Sequence, residues 1–331
     1  MWISKTPLRV SLFGGGSDYP EFIERYDSSV LGGTINHYNY IMANKLSSVS
    51  KENIRLSYRE IESVLDIGDI KHPIVREYLK YIKFQEKFAF NTVSDIPGRS
   101  GLGSSSSFTV GFINLIDKIS NTQRSKENLA QTAIYLEREI LNELVGVQDQ
   151  YHAAFGGFGK YSFTSSGNSF MSCNWSKEDF TFINSGIALV STGEFRKAKD
   201  LLVEQQKSNL DYSKDKYLQR MVSITESAFN LIKEGINETK LKNLCELLDE
   251  SWSQKKLLSK YISNKNVDDI LEIGIKSGAY SGKLLGAGSH GFILFIGPEG
   301  NYDRMCKAFG SERVIQISFG EFSHSVTELP Q

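Results

Sequence analysis

Residues Pro97–Ser107 read PGRSGLGSSSS, a loop of glycine and serine that precedes an apolar pattern with helical spacing. The apolar members of that pattern are Phe108, Phe112, Leu115, Ile116 and Ile119. The loop is therefore predicted to open a helix, whose N-terminus offers unpaired N–H groups and the positive end of the helix dipole. Glycine lets a ligand approach the backbone closely. This stretch predicts a phosphate site, with the hydroxyls of Ser104–Ser106 as ligands for phosphate oxygens or Mg²⁺.

Two more glycine clusters lie on either side of this loop in the sequence. Gly14–Gly16 follows a partly alternating apolar run that predicts a strand ending at Gly14, and GAGSHG spans Gly286–Gly291. The central loop lacks the Lys-Ser/Thr pair of a Walker loop and the GxGxxG spacing of a dinucleotide fold. Taken alone, it also fits a flexible serine-rich turn that caps a helix.

The other patterns alternate between helix and strand. A helix is predicted from Ser125, as its N-cap, to Glu143, followed by a glycine-rich loop that carries Asp149. Strands are predicted near residues 183–190, 291–296 and 314–319, and helices near residues 195–209, 214–235, 239–260, 268–278 and 302–309. This mixture predicts an α+β protein with two domains and a boundary near residue 184.

Composition limits the function. Of the 331 residues, 40% are hydrophobic and 23% charged, which is typical of a folded protein and excludes disordered and fibrous classes. The net charge of -1 provides no global attraction to nucleic acid or anionic lipid, so we expect neither as a partner. No apolar run reaches the roughly 18 residues of a membrane span. The three widely spaced cysteines are expected to be buried thiols of a cytoplasmic protein.

The three glycine clusters together resemble the signatures of the GHMP kinases. Pro97–Ser105 matches PxxxGLGSS, the second signature, and PLRVSLFGGGSD (Pro7–Asp18) and LLGAGSHG (Leu284–Gly291) fall where the first and third occur. The resemblance implies an N-terminal domain over residues 1–183, similar to ribosomal protein S5 domain 2. It also implies a ferredoxin-like C-terminal domain over residues 184–331, with the active site between the two.

The resemblance implies roles for individual residues. Asp149, followed by Gln150, matches the carboxylate that accepts the proton of the substrate hydroxyl, and Arg9 matches a cationic residue that stabilises the transferring phosphoryl group. ATP is implied to bind the second signature, at Pro97, Arg99, Gly101, Leu102, Gly103, Ser104, Ser105 and Ser106. The substrate is implied to bind the first and third, at Gly15, Gly16, Ser17, Asp18, Gly286, Ala287 and Gly288.

ATP and Mg²⁺ are the implied cofactors. Glu137 lies beside an apolar stripe, where an uncompensated charge is costly, and a magnesium ion bridging Glu137, Ser105 and the ATP phosphates would compensate it. A salt bridge from Glu137 to Arg138 or Lys126 is the alternative.

Within the family, three stretches are together most similar to kinases of D-glycero-D-manno-heptose 7-phosphate, which act in bacterial GDP-heptose synthesis: GGGSDYP (Gly14–Pro20), RSGLGSSSS (Arg99–Ser107) and VGVQDQYHAAFGGFG (Val145–Gly159). A substrate that already carries a phosphate needs a second anion site, for which the candidates are Arg99, Lys160, Arg196 and Lys197. Arg196, near a predicted strand end, is included among the substrate-binding residues, although each candidate also fits a solvated surface charge.

Other functions stay open on the sequence. A kinase of a non-phosphorylated sugar such as fucose or another hexose, or an ATP-binding pseudoenzyme, would use the same fold. His290 occupies a position where the family commonly has glycine. If the backbone of His290 has a positive φ, histidine adopts it at some conformational cost. The apolar helix faces after residue 214 would also suit a homodimer.

Overall fold

The computed structural model describes residues 1–98, 100–193 and 212–330, which fold into a mixed α+β structure around two β-sheets. The predicted α+β class is thereby confirmed. The helix predicted over residues 195–209 lies outside the described residues, as do the candidate ligands Arg99, Arg196 and Lys197.

The first sheet carries the N-terminal part of the chain. Its strands are β1 (Trp2–Phe13), β2 (Ser28–Lys45), β3 (Ile54–Ser57), β4 (Ile61–Val64), β5 (Phe88–Ser94), β6 (Phe158–Thr164), β7 (Gly167–Ser172) and β12 (Ser325–Glu328). They run in the order β12-β1-β2-β5-β3-β4, while β6 pairs with β2 and β7. Every pair is antiparallel except β3 with β5. Because β12 pairs with β1, the C-terminal segment returns to the first sheet.

The second sheet is smaller and antiparallel. Its strands are β8 (Ile187–Ser191), β9 (Ser281–Leu284), β10 (Phe292–Ile296) and β11 (Val314–Ile315), in the order β11-β8-β10-β9. Leu8 and Val10 of β1 share one buried cluster with Leu189 of β8 and Leu294 of β10. The two sheets therefore meet through a common apolar core, which fixes β1 against the second sheet.

The described helices are α1 (Pro20–Ile23), α2 (Pro73–Tyr81), α3 (Ser104–Ile119), α4 (Lys126–Tyr135), α5 (Gln148–Phe155), α6 (Lys177–Ser185), α7 (Asp215–Ile232), α8 (Glu238–Lys256), α9 (Lys265–Lys276) and α10 (Asn301–Phe309). Helix α3 crosses β1 so closely that a Cβ on Gly111 would lie 2.5 Å from Thr6 Oγ1. The amide of Arg9 donates to the carbonyl of Leu102 at 3.1 Å, which places the N-terminus of α3 beside the middle of β1, where the strand carries register shifts on either side of Arg9.

Several predicted elements are present with changed bounds. Ser125 caps α4 as predicted, accepting a hydrogen bond from the amide of Asn128, but the α-helix ends at Tyr135 and continues as a π-helical turn over Leu136–Ile140. Asp149 lies in the first turn of α5, so its prediction in a loop was wrong. The helical part of GVQDQYHAAFGG is only the eight residues Gln148–Phe155, and that short run did not separate a two-turn helix from a loop.

The secondary structure near the predicted domain boundary also differs from the prediction. The strand predicted near residues 183–190 begins later than expected, because residues up to Ser185 belong to α6 and β8 begins at Ile187. The boundary near residue 184 stays a prediction. None of the helices within the described ranges is long and apolar enough to cross a membrane. All three cysteines are unpaired, with Cys173 and Cys245 buried and Cys306 partly buried.

Candidate active site

A cleft between the sheets collects most of the predicted site residues. Those that line it are Arg9, Gly15, Gly16, Asp18, Gly101, Gly103, Ser104, Ser105, Ser106, Asp149, Gly286, Ala287, Gly288 and His290. Leu102 and Ser17 are fully buried behind it, and Pro97 lies exposed outside its lining. Their predicted roles in binding stay predictions.

Two of the glycine loops touch each other at the centre of the cleft. A Cβ on Gly101 would lie 2.6 Å from the carbonyl oxygen of Leu285, and one on Gly286 would lie 2.6 Å from the Cα of Gly101. Gly103 caps α3 with a φ of 71°, in the left-handed region that favours glycine. The loops thus expose the N-terminal amides of a 16-residue helix to the cleft, which is an arrangement suited to phosphate.

Asp149 and Arg9 form an ion pair beside this helix N-terminus. Arg9 donates from Nε to Asp149 Oδ1 at 2.8 Å, and its Nη2 lies 2.7 Å from the same oxygen. Its Nη1 donates to the carbonyl of Gly101 at 2.7 Å, so one guanidinium joins the carboxylate to the glycine loop. Within the described residues Asp149 Oδ2 accepts no hydrogen bond, and the Asp149 side chain is 26% exposed. This oxygen is available to accept a proton.

Glu137 is buried directly behind the same helix. Its carboxylate accepts hydrogen bonds from Thr109 Oγ1 at 2.6 Å, Ser106 Oγ at 2.9 Å and Gln150 Nε2 at 2.5 Å. Burial raises the pKa of Glu137 to about 7, and these hydrogen bonds oppose the rise. The π-helical turn widens α4 where it reaches this site, and such turns recur at functional sites.

Asp149 and Gln150 are adjacent in the sequence but contact different parts of the site. Asp149 faces the cleft, whereas Gln150 is fully buried and holds Glu137. The predicted partner of Glu137 in magnesium binding was Ser105, which lies exposed at the cleft. The structure instead joins Glu137 to Ser106, while the Ser105 pairing with Glu137 stays a prediction.

Asp18 ties the first glycine loop to α5. It is buried, and its carboxylate accepts the amide of Gly16 at 2.9 Å and that of Gln148 at 3.2 Å. Burial raises the pKa of Asp18, with these backbone hydrogen bonds opposing it. A Cβ on Gly146 would lie 2.0 Å from Asp18 Oδ2, so the loop before α5 depends on glycine there. Asp18 therefore positions the helix that carries Asp149.

Two buried lysines of the cleft were missed by the sequence analysis. Lys255, at the end of α8, donates to the carbonyl of Gly286 at 2.7 Å, and Lys283 of β9 donates to that of Leu12 at 2.7 Å. Burial lowers the pKa of Lys255 to about 8 and places that of Lys283 well below its usual value. A signal was present, because Lys255 continues the apolar stripe of Leu248 and Trp252 at helical spacing.

Other predicted features lie elsewhere or take another form. Lys160 pairs with Glu226 at 2.5 Å and does not line the cleft. In the third cluster Ser289, not His290, adopts a positive φ of 68°. His152 is fully buried against Tyr161, and burial lowers its pKa to about 3, so it packs as a neutral side chain.

Two family models match the chain. The GHMP kinases N terminal domain matches residues 70–157, and GHMP kinases C terminal matches residues 232–311. The chain is 32% identical to D-glycero-alpha-D-manno-heptose 7-phosphate kinase of Campylobacter jejuni, over 94% of this chain and 93% of that protein. It is 26% identical to the bifunctional fucokinase/GDP-fucose pyrophosphorylase of Arabidopsis thaliana, over 88% of this chain and 29% of that protein.

Solved structures share the fold over its whole length. A D-glycero-D-manno-heptose 1-phosphate kinase from Bacteroides thetaiotaomicron aligns with a TM-score of 0.74 and 21% identity, covering 100% of both chains. Lactococcus lactis galactokinase complexed with galactose aligns with a TM-score of 0.72 and 14% identity, covering 98% of this chain and 94% of that one. At such identities these similarities establish the fold alone.

Proposed function

The chain belongs to the GHMP kinase family and is an ATP-dependent phosphotransferase, and we propose that its acceptor is the C1 hydroxyl of D-glycero-D-manno-heptose 7-phosphate. The product is then the 1,7-bisphosphate, an intermediate for GDP-heptose synthesis in the cytoplasm, where ATP is supplied. The substrate rests on the 32% identity to the Campylobacter jejuni enzyme across nearly the whole chain. The reaction rests on one observation, the Arg9–Asp149 pair held against the helix N-terminus.

This pair supports phosphoryl transfer with Asp149 as the base. Oδ2 of Asp149 accepts the proton of the C1 hydroxyl as the hydroxyl oxygen bonds to the γ-phosphorus. The bond from that phosphorus to the bridging oxygen breaks, and its electron pair leaves with ADP. Arg9 fixes the carboxylate through Oδ1. In this proposal its charge stabilises the oxygens of the transferring group.

The amides at the start of α3 hold the phosphates of ATP in this proposal. Gly101 and Gly103 let the nucleotide approach the backbone, and the helix dipole favours the negative charge. Contact between Gly101 and Gly286 couples the nucleotide loop to the third glycine cluster. Substrate and nucleotide are thereby held by loops that pack on one another, which favours in-line orientation.

The oxygen ligands beside α3 fit magnesium. Glu137 supplies a buried carboxylate and the motif serines supply hydroxyls, which are the hard donors that Mg²⁺ prefers. Among the described residues no cluster of three or more His, Cys, Asp or Glu could hold a metal, so phosphate oxygens and water would complete the shell. We propose Glu137 with Ser105 or Ser106 as the protein ligands. Magnesium bound there would neutralise charge on the phosphate oxygens.

A kinase of a free sugar is the second candidate. The 26% identity to a plant fucokinase favours it, as does the position of Lys160, which pairs with Glu226 outside the cleft. Such an enzyme would use Asp149 in the same way and would not need a second anion site.

A substrate panel separates these functions. ADP release is measured with ATP and Mg²⁺ over D-glycero-D-manno-heptose 7-phosphate, sedoheptulose 7-phosphate, mannose 6-phosphate, mannose, galactose, fucose and mevalonate. Turnover confined to the heptose 7-phosphate is the expected result. Turnover of a free sugar with a kcat/KM equal to that for the heptose 7-phosphate would contradict the proposed substrate. ATP binding without turnover of any compound would favour a pseudoenzyme. The Asp149→Asn variant, purified in parallel, controls for contaminating kinases.

A further inference from the structure

Three polar side chains converge on the space above Gly15 in the first glycine loop. A Cβ built on Gly15 would lie 3.4 Å from Ser11 Oγ, 3.4 Å from Gln148 Nε2 and 4.0 Å from Lys255 Nζ. Ser11 belongs to β1, Gln148 begins α5 and Lys255 lies in the last turn of α8. We call Ser11, Gln148 and Lys255 the Gly15 cluster.

The hydrogen-bonding capacity of the Gly15 cluster is largely unused. Ser11 and Gln148 are each 7% exposed, and Ser11 Oγ and Gln148 Oε1 have no hydrogen-bond partner in the described part of the chain. Lys255 is 5% exposed and donates one hydrogen bond, to Gly286, although an ammonium group has three donors. Buried polar groups without partners are costly, and their convergence at one point indicates a ligand.

No acidic side chain forms a salt bridge with Lys255 among the residues that the structure describes, although Asp18 and Asp149 lie close enough to oppose the lowering of its pKa. The nearest carboxylates have other partners, because Asp149 is paired with Arg9 and Asp18 accepts two backbone amides. Lys283, below the cluster, adds a second amine rather than a carboxylate, and donates to the carbonyls of Ser11 and Leu12. A buried ammonium without a counter-ion favours an anionic ligand.

We propose that the Gly15 cluster binds the phosphate that the acceptor sugar already carries, with Lys255 as its charged ligand. Ser11 Oγ and Gln148 Nε2 donate to the other phosphate oxygens, and Gln148 Oε1 accepts from a neighbouring sugar hydroxyl. Adjacent helical side chains diverge by about 100°, so Gln148 and Asp149 address different parts of one substrate. The inference rests on the proposed function, since it requires a phosphorylated acceptor.

The space over Gly15 and the position assigned to the transferring phosphoryl group lie in the same cleft but are lined by different residues. Asp149 lies beside Gly103, since a Cβ on Gly103 would be 3.4 Å from Asp149 Oδ2, whereas Lys255 contacts Gly286 and the space over Gly15. We therefore place the transferring phosphate at the N-terminus of α3 and the phosphate of the sugar over Gly15. The cluster thus explains how a phosphorylated sugar is told from a free one without Lys160.

Two variants test the Gly15 cluster by different means. Lys255→Met removes the charge, while Gly15→Ala fills the gap with a methyl group at a backbone φ outside the left-handed region. Lys256→Met is the matched control, because Lys256 is exposed on the same helix turn and does not line the cleft. Circular dichroism establishes that each variant is folded.

Calorimetric titration of heptose 7-phosphate and of the unphosphorylated heptose gives the readout, with the KM for ATP measured alongside. We expect both cluster variants to bind the sugar phosphate about 10- to 100-fold more weakly, with free heptose and ATP little changed. Lys255→Arg should recover part of the loss. An equal loss for both sugars, or a loss confined to ATP, would overturn the cluster's role while leaving the proposed function intact. Failure of the wild-type enzyme to prefer the sugar phosphate would overturn both.

Discussion

Replacing Lys255 with methionine is expected to stabilise the protein at neutral pH, although Lys255 lies in the cleft. The lysine is 5% exposed, and burial lowers its pKa from the usual 10.5 to about 8. That difference corresponds to about 3 kcal/mol of destabilisation whenever the amine is charged in the fold. Methionine removes this cost but leaves the Gly286 carbonyl without its partner, a loss of about 1 kcal/mol. A net gain of about 2 kcal/mol remains.

The gain should depend on pH with a definite sign. Between pH 8 and 10.5 the unfolded chain holds the proton of Lys255 while the folded protein releases it, so wild-type stability rises with pH in that window. By pH 10 the cost of the lysine has fallen to about 1 kcal/mol, and the advantage of methionine disappears.

Thermal unfolding of wild type and Lys255→Met at pH 7 and pH 10 measures this directly. We expect the variant to melt a few degrees higher at pH 7 and at nearly the same temperature as wild type at pH 10. Lys256→Met, which removes an exposed lysine, should show no such change between the two pH values. A variant that is less stable by the same amount at both pH values would refute the reasoning, because Lys255 would then be a satisfied structural cation.

Three further predictions concern the loops and the carboxylates. Gly286→Ala should abolish most turnover, because its Cβ would lie 2.6 Å from the Cα of Gly101. Gly300 has the same φ of 76° but open space around it, so Gly300→Ala is the matched control. It should keep near wild-type kcat and lose only about 1 kcal/mol of stability. Equal kinetics for the two would contradict the loop contact. Ser106→Ala should raise the magnesium concentration needed for half-maximal activity, as should Glu137→Gln, and an unchanged magnesium titration would remove both from the proposed site. Arg9→Met should lower kcat by about 10²-fold or more with little effect on the KM for ATP, and wild-type kcat would exclude its role beside Asp149.

The parts of the site carried by local sequence could be predicted. The loop before α3 and the cap at Ser125 follow from glycine, serine and apolar spacing within a few residues. The neighbours of Glu137 could not be predicted, because they depend on a π-helical turn and on Gln150, which reaches it from another helix. The pairing of Glu137 with Ser106 is set by how α3 and α4 pack, and one residue of rotation decides which serine meets it.

The role of the buried lysines also could not be predicted from the sequence. Lys255 lies in an apolar helix stripe, where the sequence signal is a charge at a core position, whereas Lys283 lies in the buried strand β9, whose sequence SGKL has no apolar pattern. A lysine at a core position conflicts with the cost of burying a charge, but the sequence does not show which ligand would compensate that charge. Only the convergence of Ser11, Gln148 and Lys255 over Gly15 indicates an anion.

The central claim is that Asp149 accepts the proton of the acceptor hydroxyl, and Asp149→Asn tests it most directly. The substitution keeps the size of the side chain and removes its basic oxygen. With heptose 7-phosphate, ATP and Mg²⁺, we predict that ATP binding persists while single-turnover formation of the bisphosphate slows by about 10²- to 10⁴-fold. A single-turnover rate equal to that of the wild type would contradict the assignment of Asp149 as the base.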